Sequence, residues 1–108
     1  MKGNYDSLKA IGITSKGEIL EFGLREHGVL LCDNKDLVSL KIPEGIESII
    51  CYSNKLSELE VPEGVITLYC GNNLINNLKI PSSITYLSCD KSIKGLDNID
   101  WDCNIRLY

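Results

Sequence analysis

Cysteine is the residue in this sequence whose type and spacing most invite a chemical interpretation. Four of the five cysteines recur every 19 residues, at Cys32, Cys51, Cys70 and Cys89. Thiolates ligate zinc and pair as disulfides. If the interval is the period of stacked parallel strands, neighbouring thiols point the same way. Their β-carbons are then nearly one strand spacing (~4.8 Å) apart. This distance exceeds the mean Cβ–Cβ separation of about 3.8 Å in a disulfide. A row of thiols is also a line, whereas zinc requires a tetrahedron. We therefore predict that these cysteines fill small apolar core positions, with a metal or redox role as the alternative.

The remaining candidates for chemistry are a histidine, two asparagines and a group of acids. His27 is the only histidine, and no recognisable nucleophile and orienting acid accompany it, so we interpret it as a structural or surface residue. The acids of DNIDWD, residues 97–102, do not follow the ligand spacing of a calcium loop and are predicted to be solvated. Asn54 and Asn73 are predicted to satisfy backbone groups inside a turn. We therefore expect no catalytic residue, no metal site and no cofactor.

The 19-residue interval also holds for apolar residues and prolines. The stretches 46–56 and 65–75 both read L-x-x-L-x-L-x-x-N-x-L, with other apolar residues and cysteine accepted at the leucine positions. The columns that keep the register are Leu30, Ile49, Leu68 and Leu87; Leu40, Leu59 and Leu78; and Pro43, Pro62 and Pro81. A repeat of this kind predicts stacked coils that bury the repeated side chains.

With these two matches the chain resembles the leucine-rich repeat family over most of its length, and in particular the short, proline-bearing repeats of some bacterial effector proteins and of amoebal and giant-virus proteins. The resemblance implies a mainly β leucine-rich repeat solenoid of about five coils with terminal caps, whose parallel β-sheet forms the concave face. The sequence departs from the family pattern at three positions. Lys35 and Ser92 stand where asparagine is expected, and His27 replaces the first aliphatic residue.

The second half of each coil contains proline and β-branched residues. These residue types favour extended chain over helix, which predicts an extended or polyproline-like convex face. Gly45 and Gly64 follow the Pro-Glu pairs, where a turn leads back into the next strand and a positive φ costs glycine nothing. In the third copy, Ser82 and Ser83 take this place and predict a weaker turn.

We predict a single leucine-rich repeat domain with three parts: an N-terminal cap and degenerate coil at 1–26, core repeats at 27–90, and a C-terminal cap at 91–108. Leu8, Ile11 and Ile13 continue the apolar columns one period before the first full coil, and the turn after them predicts a strand or hairpin that covers this coil. Ile105 and Tyr108 are predicted to begin a last strand. That strand is either truncated or leaves an unpaired edge, which invites association.

Composition narrows the classes of partner. The net charge is −4, and no dense cluster of lysine and arginine is present, which argues against binding to nucleic acid or to an anionic membrane. No segment resembles a signal peptide or a transmembrane helix, and the odd number of cysteines fits a reducing compartment. We therefore expect an intracellular, cytoplasmic protein, in the host cytoplasm if the source is a virus or pathogen.

Function is predicted to lie in the residues that do not repeat. Strand alternation turns the neighbours of the repeated residues outward, where they form an apolar and aromatic patch with acids at its rim. We expect this concave face to bind a protein partner without catalysis, or alternatively to mediate self-assembly as a homo-oligomer through the face or the open C-terminal edge. The predicted binding residues are Leu31, Asp33, Ile50, Tyr52, Thr67, Tyr69, Tyr86 and Asp90.

Overall fold

The structure is a computed structural model and describes residues 9–24, 28–76, 78–91, 93 and 104–107. The fold is mainly β and contains two sheets. The strands are β1 (Lys9–Thr14), β2 (Ile19–Gly23), β3 (Val29–Leu31), β4 (Leu37–Lys41), β5 (Ser48–Ile50), β6 (Thr67–Tyr69), β7 (Tyr86–Cys89) and β8 (Asn104–Leu107).

The larger sheet is parallel and has the strand order β3-β5-β6-β7-β8. Leu30 pairs with Ile49, Ile49 with Leu68, and Leu68 with Leu87, so the 19-residue interval is the register of the sheet. Backbone hydrogen bonds continue past the strand ends; for example, the Cys51 amide donates to the Tyr69 carbonyl at 2.8 Å. The chain therefore winds as a β-solenoid in which successive strands stack in register, as the sequence pattern predicts.

The core lies between the parallel sheet and the second halves of the coils. Leu30, Ile49, Leu68 and Leu87 are fully buried from the sheet side. Leu37, Leu56 and Ile75 are buried from the opposite side of the coils. Together they form one hydrophobic cluster, because each coil presents its apolar residues both to its own interior and to its neighbours.

The second halves of the interior coils are irregular rather than helical. Among the described residues of 55–62 and 74–81 no helix is present, and a single parallel bridge joins Glu60 to Lys79. Gly64 has a φ of +97°, which confirms that this turn needs a glycine. At the equivalent place in the next coil, the Ser83 hydroxyl accepts from the Gly64 amide at 3.0 Å and donates to the Val65 carbonyl at 2.7 Å. The serine turn is therefore tied to the preceding coil by its side chain.

The N-terminal region is a hairpin, as predicted, but its register differs from the prediction. Strand β1 pairs antiparallel with β2 and with β4 in a separate sheet, so Ile11 and Ile13 do not continue the columns of the parallel sheet. Ala10, Gly12 and Thr14 are buried instead, and Ile13 is 37% exposed. Because side chains alternate along a strand, pairing with β4 in this register turns the other set of residues inward.

The last described strand, β8, extends the parallel sheet, and Leu87 pairs with Ile105. This confirms a final strand around Ile105. The domain boundaries stay predictions. Several predicted features lie outside the described residues, namely Leu8, His27, Ser92, the acids of 97–102 and Tyr108.

Candidate functional site

The outer face of the parallel sheet, defined as the surface turned away from the core, carries the five predicted binding residues that lie within strands. In β3, β5 and β6 the central residue is buried and the two flanking residues are partly exposed. Leu31 therefore lies in register with Ile50, and Ile50 with Tyr69, on one surface. Thr67 is in register with Tyr86 in the adjacent column of the same face. The structure brings these side chains together, and their role in binding stays a prediction.

Aromatic side chains dominate the middle of the outer face. The rings of Tyr69 and Tyr86 lie 5.2 Å apart between centroids and are tilted by 43°, a geometry that aromatic pairs favour. Tyr52 lies beyond the end of β5 and is 42% exposed. Ser88, in register with Tyr69, points to the same face but is only 5% exposed, because the larger side chains around it cover a small residue.

The two predicted rim acids, Asp33 and Asp90, differ in their hydrogen bonding. The Asp90 carboxylate accepts hydrogen bonds from the backbone amides of Asn72 at 2.9 Å and Asn73 at 3.3 Å. Asp33 occupies the equivalent position three coils before Asp90 and is half-buried. Asp90 therefore also stabilises the preceding turn, a role that its sequence position did not predict. A signal was present, because Ser92 replaces the expected asparagine in that coil.

A shallow cavity of about 480 Å³ opens on the outer face between the aromatic residues and Asp90. Its lining consists of Tyr52, Tyr69, Gly71, Asn72, Ser88 and Asp90. Gly71, Asn72 and Ser88 are absent from the predicted binding set. Gly71 is the sequence signal for the cavity, because its column otherwise reads Asp33, Tyr52 and Asp90 and only glycine leaves a gap there.

Comparison with known proteins assigns no family to this arrangement. No protein-family model matches the chain, and neither a curated protein nor a solved structure matches it at a significant level. None of the residues described forms a helix that is long and apolar enough to cross a lipid bilayer. The function of the outer face must therefore be argued from its own geometry.

The asparagines stabilise the turns, as predicted. Asn54 is 8% exposed, and its Oδ1 accepts from the amides of Lys35 at 2.9 Å and Leu37 at 3.0 Å. Its Nδ2 donates to the carbonyls of Cys32 and Cys51, both at 3.0 Å. Asn73 repeats the arrangement one coil later with Leu56, Cys51, Cys70 and Gly71. These amides are engaged by backbone, which explains why asparagine recurs with the coil.

The cysteines of the column, Cys32, Cys51, Cys70 and Cys89, lie in the core, as predicted, and all four are free thiols. Burial raises the pKa of the Cys32 thiol to about 12 and that of Cys89 to about 11, with nearby Asp33 and Asp90 adding to the effect. Burial also raises the pKa values of Cys51 and Cys70. The thiolate is the form of cysteine that acts as a nucleophile and a metal ligand. Thiols that stay neutral are therefore suited to packing in an apolar core.

Proposed function

We propose that this chain is a leucine-rich repeat protein of about five coils and that it acts as a non-catalytic interaction module. A protein partner binds on the outer face, which is the concave face of such a solenoid. The observation that carries the proposal is the surface that Leu31, Ile50, Tyr69 and Tyr86 form on neighbouring strands. Tyr52, just beyond the end of β5, lines a cavity together with Tyr69. Apolar patches of this kind are typical of contact sites, and tyrosine concentrates binding energy.

Other properties agree with this class of function. The residues best suited to nucleophilic chemistry are the thiols, and those of the repeated column are buried and neutral. The net charge of −4 disfavours nucleic acids and anionic membranes as partners. Reduced cysteines fit an intracellular, cytoplasmic setting. We propose neither a cofactor nor a metal.

The test is partner capture from an extract of the native host. The double variant Tyr52→Ala plus Tyr69→Ala is expected to weaken capture by tenfold or more, because hot-spot residues contribute about 2 kcal/mol or more each. A matched control replaces two exposed apolar residues off this face, Ile19→Ala plus Leu74→Ala, whose side chains are 70% and 66% exposed. Capture that survives the tyrosine changes, or is lost in the control, would place the site elsewhere.

Self-assembly is the alternative function, and the β8 edge favours it. Among the described residues β8 pairs only with β7, and Ile105 and Leu107 are 39% and 49% exposed. An exposed apolar edge is a template for pairing with another chain. Self-association measured by sedimentation over a range of concentrations shows which surface mediates it. Leu107→Lys is expected to remove association through the β8 edge, and Tyr69→Asp to remove association through the outer face. A monomer at all concentrations in the unmodified protein would exclude both.

A further inference from the structure

We propose that the cavity at Gly71 receives an arginine side chain of the protein partner. This inference rests on the proposed function and adds the chemistry by which the partner is recognised. In this cavity, the exposed ring of Tyr52 and the hydrogen-bonded carboxylate of Asp90 lie on opposite sides of Gly71, which has no side chain.

The gap follows from the repeat. Tyr52, Gly71 and Asp90 occupy equivalent positions in three successive coils, so Tyr52 and Asp90 are separated by two strand spacings, about 10 Å. The Ser53 amide donates to the Gly71 carbonyl at 3.0 Å, which keeps the backbone at this position in the ladder. A side chain at Gly71 would fill the gap, and glycine leaves it open.

The charge of the site is complementary to a cation. The outward positions of β3, β5, β6 and β7, with the residues that follow them, contain Asp33 and Asp90 as their only charged side chains. Arg106 lies on the next strand in register with Ser88, and no ion pair joins it to Asp90 in the described part of the chain. The two amides that bind the Asp90 carboxylate fix its position before a ligand arrives, which lowers the ordering cost of binding.

Arginine fits this site better than lysine does. The guanidinium group is planar, so it can stack on the ring of Tyr52 or Tyr69 while its N–H groups donate to the Asp90 carboxylate. Each carboxylate oxygen retains a lone pair after accepting one amide. A lysine ammonium would gain the charge interaction but not the stacking.

The probe is a blocked peptide, acetyl-Gly-Gly-Arg-Gly-Gly-amide, and its partner peptide with citrulline, a neutral isostere of arginine. Binding is followed by the backbone amide signals of Gly71 and Ser88 in nuclear magnetic resonance titrations. We expect saturable shifts with the arginine peptide and about threefold to fivefold weaker binding of the citrulline peptide, the range for exposed cation–aromatic and ion-pair contacts. Equal binding of the two peptides, or no binding, would overturn the proposal.

Two pairs of variants test the residues of the site. Asp90→Asn keeps an oxygen for the Asn72 amide and removes the charge, and should weaken arginine binding about threefold or more. Glu58→Gln, at an exposed acid in the second half of its coil, is the matched control and should change arginine binding less than twofold. Gly71→Val should abolish binding by filling the gap, and its backbone tolerates a side chain because Gly71 lacks a positive φ. Gly23→Val, at a glycine of β2 where a β-carbon would meet nothing within 4 Å, is the matched control for the glycine-to-valine change. An equal effect of Glu58→Gln and Asp90→Asn would contradict the proposed position of the arginine.

Failure of this inference is distinguishable from failure of the proposed function. If partner capture requires Tyr52 and Tyr69 but the arginine peptide does not bind, the arginine inference is wrong and the interaction surface stands. If capture is indifferent to the tyrosines, the proposed function is wrong, and with it the inference that depends on it.

Discussion

Asn54 contacts the backbone of its own coil and of the coil before it through both ends of one amide group. The backbone groups it contacts lie in the turns beyond the strands, where strand pairing cannot satisfy them. The cysteines have the complementary role, because they fill the core beside these turns without requiring a polar partner. At the residue scale, the recurring polar and sulfur-containing side chains therefore stabilise the coil, and the non-recurring ones form the outer face.

Replacing Asn54 by alanine leaves backbone donors and acceptors without partners. Each unsatisfied buried group costs about 1–3 kcal/mol, so we expect Asn54→Ala to lower the free energy of unfolding by about 2–4 kcal/mol in urea titrations. Asn76→Ala is the control, since Asn76 is exposed, and it should change the free energy by about 0.5 kcal/mol or less. Similar values for the two variants would contradict the role given to Asn54.

The raised thiol pKa values predict a loss of stability in base. The folded-state values of Cys32 and Cys89, about 12 and about 11, exceed the ordinary value of 9.0, so the unfolded chain releases these protons first as the pH rises. The stabilisation is complete below about pH 9 and is lost as the pH approaches 11–12. Cys51→Val removes one such titration, since burial raises the pKa of this thiol too. It should therefore reduce the decline in unfolding free energy between about pH 8 and pH 10.5. An unchanged decline would show that other groups cause it.

At the scale of the elements, β1 depends on one glycine. A β-carbon at Gly12 would lie 2.6 Å from Leu37 Cδ2 and 3.0 Å from Phe22 Cε2, and Leu37 is fully buried. Gly12 therefore allows β1 to approach β4 closely and to cover the first coil. The contacts around Asp36 add to this attachment: the Ser15 amide donates to the Asp36 carbonyl at 3.0 Å, and the Ser15 hydroxyl donates to the Asp36 carboxylate.

A side chain at Gly12 should loosen the hairpin. We expect Gly12→Val to destabilise the protein by about 1–3 kcal/mol, the usual cost of overpacking a core, as measured by urea unfolding. Gly23→Val is the matched control, because a β-carbon there would meet nothing within 4 Å. If both variants had the same stability, the close approach of β1 to β4 would not be required.

At the scale of the whole molecule, stability depends on each coil having neighbours. Ile49 and Ile105 occupy the same inward column of the parallel sheet. Ile49 is fully buried between two coils, whereas Ile105 in the last described strand is 39% exposed. In solenoids the interior interfaces contribute most of the cooperative stability, and the terminal units open most readily.

The difference in burial predicts that isoleucine-to-alanine substitution lowers the free energy of unfolding by different amounts at these two positions. Ile49→Ala should lower the free energy of unfolding by about 3–4 kcal/mol, and Ile105→Ala by about 1 kcal/mol, since cavity costs scale with burial. Amide hydrogen exchange should also be faster in β8 than in β5. Equal costs, or equal exchange, would indicate that β8 is covered as fully as the interior strands.

The sequence by itself determined the repeat, its register, the inward columns of apolar residues and cysteines, and the role of Asn54. The reason is that a stacked coil imposes the same constraint every 19 residues, and a constraint that recurs is visible in one chain. The sequence also indicated the outer face, because side chains alternate along a strand and the neighbours of Cys51 and Cys70 therefore point outward.

Only the tertiary structure decided the features that do not recur. The antiparallel pairing of β1 with β4 depends on Gly12 packing against Leu37, a contact between residues whose sequence positions carry no common period. Likewise, the cavity at Gly71 exists because Tyr52 and Asp90 come from different coils. The two hydrogen bonds that the Asp90 carboxylate accepts from turn amides also connect different coils. These contacts join residues that do not recur with the coil, so the 19-residue repeat does not encode them.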